Sequence, residues 1–255
     1  MKETTIIERT KIKKLRNCVL ITGLPGIGLI GQVVGRYLVE ELKAKRVANL
    51  LSPHFPHQVF MTKNGGMRLI RNSFFLFSGS KRDIIILVGD IQAMSSVGQY
   101  EIAGKVVEFA KKHDIGELLT IGGYSTGKVN DERRVFAVAS SDKMRAKLKK
   151  HGVVFGEAKG SIVGAAGLIP AVGSYAGVET ACIMGETHGG YVDTVSARKI
   201  VQLLSKYLDV PISLKRLTQR AEESEKIIKK VEDDIKKNMV AHFDQSSNNA
   251  ASYIR

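Results

Sequence analysis

The sequence predicts a three-layer α/β/α fold with a largely parallel sheet, extended by a long C-terminal helix. Three observations carry that reading. Short runs that are apolar at nearly every position recur along the chain, as strands buried on both faces require. Segments with helical spacing fall between them, giving the β-α-β order of a parallel sheet with helices on both sides. At 255 residues and 44% hydrophobic content, the chain is long enough to bury one sizeable core.

Taken in order, residues 1–17 form a basic N-terminal segment and 18–210 the core domain. Cys18–Thr22, Val47–Leu51, Ile84–Gly89, Leu118–Gly122 and Ala181–Met184 read as buried strands. Leu29–Leu42, Val97–His113, Ser141–Lys150 and Thr194–Leu208 carry helical spacing. Gln58–Thr62 and Arg68–Phe77, joined by Lys63-Asn64-Gly65-Gly66, predict a hairpin, because Asn-Gly supplies the positive φ of a tight connection. The run Phe74-Phe75-Leu76-Phe77 makes its second strand either deeply buried or part of a subunit interface. From Leu214 the positions Leu214, Leu217, Ala221, Ser224, Ile228, Val231 and Ile235 alternate spacings of three and four. They predict a helix from Ser213 to Ala241, within a C-terminal region 211–243, about 45 Å long at ~1.5 Å per residue. Its narrow stripe is expected to dock on another helix or a second subunit. Residues 244–255 are polar and aperiodic, hence a flexible tail, ending in Tyr253-Ile254-Arg255.

The net charge of +14 is spread among acidic residues, with no basic run interleaved with aromatics. This reads as solubility and a surface for acidic partners, and argues against nucleic acid. No apolar run is long enough to cross a bilayer, and the first residues lack a signal-peptide core, so a cytoplasmic protein is expected. Cys18 and Cys182 sit inside strand-like runs, where cysteine behaves as a small buried hydrophobe.

Several segments raise the question of chemistry. Gly26-x-Gly28-x-x-Gly31 follows a strand and opens a helix, as a dinucleotide-binding turn does, but no acidic residue ends the next strand, and Leu29-Ile30 stand where a phosphate-binding loop needs Lys and Ser or Thr. A sharp strand-to-helix turn is the simpler reading. Asp90 and Glu186 each follow a strand, where α/β proteins place ligand-binding groups, and His188 lies two residues beyond Glu186. Loop acids also cap helices: Ser96-x-x-Gln99 resembles a capping box, and Asp193 or Thr194 can cap the helix that follows. Gly122-Gly123-Tyr124-Ser125-Thr126-Gly127 is either an anion-binding loop or a tight turn. No cofactor or metal motif is present.

Taken together, GLPGIGLIG at 23–31, GDIQAMSSVGQYEIA at 89–103, TIGGYSTG at 120–127 and MGETHGGYVDTVSARKIVQLLSKYLDVPISLKRL at 184–217 resemble the proteasome assembly chaperone 2 family in its archaeal single-chain form. The resemblance covers residues 16–240. It implies an α/β/α domain related to phosphorylase- and hydrolase-like proteins, homo-oligomerisation, and an ATP-independent chaperone or activator role toward proteasome α subunits or the α ring. Fold kinship does not carry activity across, so no catalytic residue is assigned. The alternative is a small-molecule or nucleotide-binding enzyme using the clefts near Gly26, Asp90 and Glu186.

The resemblance also gives the tail a role. Proteasome-binding proteins of this kind end in a hydrophobic residue, Tyr and any residue, the terminal carboxylate pairing with a lysine between α subunits. Here Tyr253 fills the hydrophobic position, Ile254 stands where Tyr is expected, and Arg255 supplies the carboxylate. A flexible tail of this length reaches about 20 Å, so several tails on one oligomer can bind a ring by avidity.

Overall fold

Buried strands and amphipathic helices alternate in the computed structural model, which describes residues 1–127 and 132–223. The strands are β1 (Thr5–Glu8), β2 (Val19–Gly23), β3 (Lys45–Leu51), β4 (Val59–Met61), β5 (Met67–Leu69), β6 (Asn72–Ser78), β7 (Asp83–Gly89), β8 (Glu117–Ser125), β9 (Val135–Ala139) and β10 (Glu179–Thr187). The helices are α1 (Ile30–Glu41), α2 (Ser96–Lys112), α3 (Asp142–Lys149), α4 (Ala165–Tyr175) and α5 (Thr194–Leu208). Residues 215–223 are helical as well.

Eight strands form one sheet in the order β1-β3-β6-β7-β2-β8-β10-β9. Its centre, β7-β2-β8-β10, is the parallel sheet expected from the apolar runs. Antiparallel strands extend it on both sides, with β1, β3 and β6 beyond β7 and with β9 beyond β10. Val34 and Leu38 of α1, Leu148 of α3 and Ile200 and Leu204 of α5 pack against Ile21, Ile86 and Leu119 on one face. Val106 of α2 and Ile169 of α4 pack against Leu20, Ile85 and Leu118 on the other. The alternation of inward side chains along each strand thus divides one apolar run between two cores.

Four local expectations change. The hairpin strand expected over Arg68–Phe77 divides in two: β5 pairs with β4 in a separate two-stranded sheet, and β6 enters the main sheet between β3 and β7. Ile70 marks the division, its side chain buried in the core that holds Phe74. The basic N-terminal segment contains β1, whose half-exposed edge position needs only alternate apolar residues. The cap of α2 is Ser95, whose hydroxyl accepts from Gly98 N at 3.1 Å. Gln99 turns away, donating to Ala93 O at 2.8 Å. The expected cap of α5 is Asp193, which accepts from Ser196 N at 2.9 Å.

α4 was hidden by Pro170 inside it. A proline within a helix leaves the carbonyl four residues earlier without its N–H partner. Here that carbonyl, Ala166 O, accepts from the Thr120 hydroxyl of β8, and the Thr180 hydroxyl of β10 donates to Pro170 O at 2.8 Å. Two sheet hydroxyls therefore fix the helix to the strands beneath it.

The first apolar positions of the C-terminal stripe dock on the chain's own core. Leu217 and Ala221 are buried. Tyr37 of α1 donates to Ser213 O at 2.7 Å, and Arg216 reaches Glu41 Oε1 from α1. The rest of the predicted helix, from Ser224 on, and the tail 244–255 with Tyr253, Ile254 and Arg255 lie outside the described residues.

Candidate functional site at the carboxyl ends of the parallel strands

The glycine turn after β2 is built for close backbone contact. Gly28 has φ +62° and Leu29 φ +50°, a left-handed pair that swings the chain from strand to helix. A Cβ on Gly31 would lie 2.5 Å from Ile121 O and 2.7 Å from Leu24 O. On Gly23 it would lie 2.5 Å from Gly31 O and 2.7 Å from Gly35 Cα. The glycines thus mark where α1 crosses β2 and β8 with no side chain between them. Gly26 is extended, with φ −168°, and needs no special conformation.

Beside this turn a cleft of about 330 Å³ opens over the ends of β2, β8 and β10. It lies where connections leave adjacent strands in opposite directions: β2 leads through α1 to β3, while β8 leads to β9 at the other edge. This is the usual ligand position in an open α/β sheet. Leu24, Ile27, Ile162, Val163 and Met184 give it apolar walls.

The polar side chains around the cleft are largely occupied. Gln92, which sequence reasoning passed over, ties three segments together. Its amide nitrogen donates to Pro25 O, and its amide oxygen accepts from Ala165 N at 2.9 Å and from Gln99 Nε2 at 3.2 Å. Tyr124 OH accepts from Lys159 N at 3.2 Å, and Ser125 donates to His188 O at 2.8 Å. The Gly122–Gly127 segment is therefore the end of β8 followed by a turn, and its wall is shaped by packing: a Cβ on Gly123 would meet Ile27 O at 2.5 Å.

Neither strand-end carboxylate lines this cleft. Glu186, almost wholly buried in β10, accepts from Arg134 at 3.1 Å (backbone N), 3.2 Å (Nε) and 3.3 Å (Nη2). Asp90 accepts from both Nη atoms of Arg68, at 2.6 and 3.0 Å, and from Arg71 N at 3.1 Å. Each carboxylate is thus neutralised by a forked guanidinium, which holds it charged and leaves it poorly suited to proton transfer. The His188 ring stacks with Tyr191 at 5.8 Å.

The thiols are equally committed to packing. Burial pushes Cys18 up to about 12 and Cys182 up to about 11, so neither presents a thiolate near neutral pH. Among the described residues no group of three or more His, Cys, Asp or Glu is placed to hold a metal ion. No described helix is long and apolar enough to cross a membrane.

Comparison with known proteins agrees with the architecture. Pyrococcus furiosus PbaB, described as an archaeal proteasome activator, superposes with a TM-score of 0.85 at 36% identity, over 91% of this chain and all of that one. Pyrococcus furiosus PbaA, described as an archaeal homolog of proteasome-assembly chaperone, shares the fold with a TM-score of 0.76 at 24% identity, over 99% of this chain and all of that one. An uncharacterised protein of Methanocaldococcus jannaschii is 33% identical over 220 residues, 86% of this chain and 85% of its own length. Residues 20–232 match the PAC2 family, and with these relatives the match establishes that the chain belongs to it.

Proposed function

We propose that this protein is a non-enzymatic, cytoplasmic partner of the proteasome, acting at the α subunits or the assembled α ring as a homo-oligomer and through its C-terminal residues. The observation that carries the reading is the likeness to Pyrococcus furiosus PbaB, a proteasome activator whose whole chain is matched at 36% identity. Membership of the PAC2 family supports the coarser role of a proteasome assembly chaperone or activator.

Two features of the chain support the finer statement. The hairpin β4–β5 stands off the main sheet with Val59, Met61, Met67 and Leu69 exposed, Met61 at 92%. An apolar ribbon of that kind is costly in water and is suited to burial against a second copy. The tail residues Tyr253, Ile254 and Arg255 combine apolar bulk with positive charge at the end of a polar segment. Multiple copies of a weak anchor give strong binding to a ring that repeats its own pockets.

Deleting Tyr253 to Arg255 tests the tail. The truncated protein is expected to keep its unfolding temperature and to lose at least tenfold in affinity for α-ring particles in a sedimentation or pull-down titration. Unchanged affinity would overturn the tail as the anchor.

A further inference from the structure

A second cleft, of about 230 Å³, lies on the α1 side of the sheet between that helix and the strands β3, β6 and β7. Four arginines from separate parts of the chain line it: Arg36 of α1, Arg46 of β3, Arg68 of β5, and Arg71 just before β6. Two carboxylates line it too, and both are engaged. Asp90 is held by Arg68, and Glu40 pairs with Arg216 at 3.3 Å. Among the described residues, Arg36, Arg46 and Arg71 make no ion pair and no side-chain hydrogen bond. The proton affinity of Arg71 is lowered first by burial, then by the nearby charges of Arg46 and Arg68.

We propose that this cleft is a binding site for a phosphate-class oxyanion, held by Arg46 and Arg71 with Arg36 at the rim. Partly buried cations that repel one another and lack counter-ions are unfavourable until an anion joins them. Planar guanidinium forks match tetrahedral oxyanions, and a phosphate has enough oxygens for several forks where a carboxylate has two. Asp90 serves as a positioning residue: by fixing Arg68 and the backbone of Arg71, it keeps its own charge out of the site. Val39, Phe75 and Val88 form an apolar wall against which the organic part of a phosphomonoester can pack.

The test is a titration of the full chain with inorganic phosphate and, separately, with phenyl phosphate, by calorimetry and thermal shift, against sodium chloride of matched ionic strength. Both ligands are expected to bind saturably. At least ~10-fold tighter binding of phenyl phosphate assigns the site to phosphomonoesters, and equal affinities assign it to free phosphate; either supports the site. Arg71→Gln and, independently, Arg46→Gln are each expected to weaken binding about tenfold or more, as loss of a charge-assisted pair does. Lys143→Gln, which removes the same charge from exposed α3, is expected to leave affinity unchanged. Absence of saturable binding, retention of affinity in both arginine variants, or an equal loss in Lys143→Gln would overturn the proposal.

Discussion

β2 and β7 lie side by side and parallel, and the chain leaves them at the same edge of the sheet in opposite manners. After β2 come the glycines of a phosphate-cradle motif, and the space they create is filled with backbone: α1 presses on β2 and on Ile121 O of β8. After β7 comes Asp90, in no recognised motif, and around it Arg68 and Arg71 are drawn to one cleft. The stretch that resembles an anion site is a packing device, and the cationic cleft is assembled from residues that share no spacing. A glycine pattern fixes how close two backbones come, while an excess of charge depends on which partners the fold supplies.

The largest effect should come from adding one methyl group to the glycine side. Gly31→Ala places a Cβ 2.5 Å from Ile121 O and 2.7 Å from Leu24 O, both backbone atoms that no rotamer change can move. A cost of about 3 kcal/mol is expected, a fall in Tm of about 6–12 °C for a chain of this size. Gly104→Ala in the middle of α2, where a Cβ meets nothing within 4 Å, should instead raise stability, by about 0.5–1 kcal/mol. Thermal unfolding of the two variants measures both. Equal effects would remove close approach as the reason for the glycines after β2.

That contrast also shows what was legible in the sequence. The central strands and α1, α2, α3 and α5 were readable because each apolar run answers to a single period. Pro170 masked α4, since its tolerance depends on Thr120, fifty residues earlier, supplying the missing donor. β1 and β9 lie at the edges, where one side of the strand needs no apolar residue. Asp90 and Glu186 were placed correctly at strand ends, but their arginine partners were not foreseen: Arg68 reaches Asp90 from across a hairpin, and Arg134 reaches Glu186 because β9 returns antiparallel to β10. The arginine cleft left no trace in the sequence, because a pairing deficit is a property of the folded arrangement.

On the β7 side the intermediate effect belongs to Asp90→Asn. Asparagine keeps the shape and one acceptor but gives up the charge that binds the Arg68 fork, a pair in which the side chains are 30% and 15% exposed. A loss of about 1–2 kcal/mol in urea unfolding is expected. The hairpin should also be released, since Arg68 sits on β5, and limited proteolysis near Asn64-Gly65 should speed up. Unchanged cleavage would show that the hairpin is held by contacts other than this pair.

Arg71→Gln should give the smallest effect and the one of opposite sign. Its guanidinium is partly buried beside Arg46 and Arg68, and its side chain has no hydrogen-bond partner among the described residues. Removing that charge relieves repulsion and breaks no contact, so the unliganded variant should be more stable than the parent by a few tenths of a kcal/mol, the scale of a half-exposed like-charge interaction. The order should invert in saturating phosphate, because a ligand that binds only the folded parent adds stability that the variant does not share. A crossover in Tm along a phosphate titration is thus the signature that separates the two strand ends: glycine substitution at Gly31 lowers Tm at every phosphate concentration, whereas charge removal at Arg71 raises it without the anion and lowers it with the anion. A loss of 1 kcal/mol or more without phosphate would mean that Arg71 already has its counter-charge within the chain, and the cleft would then be as filled as the turn after β2.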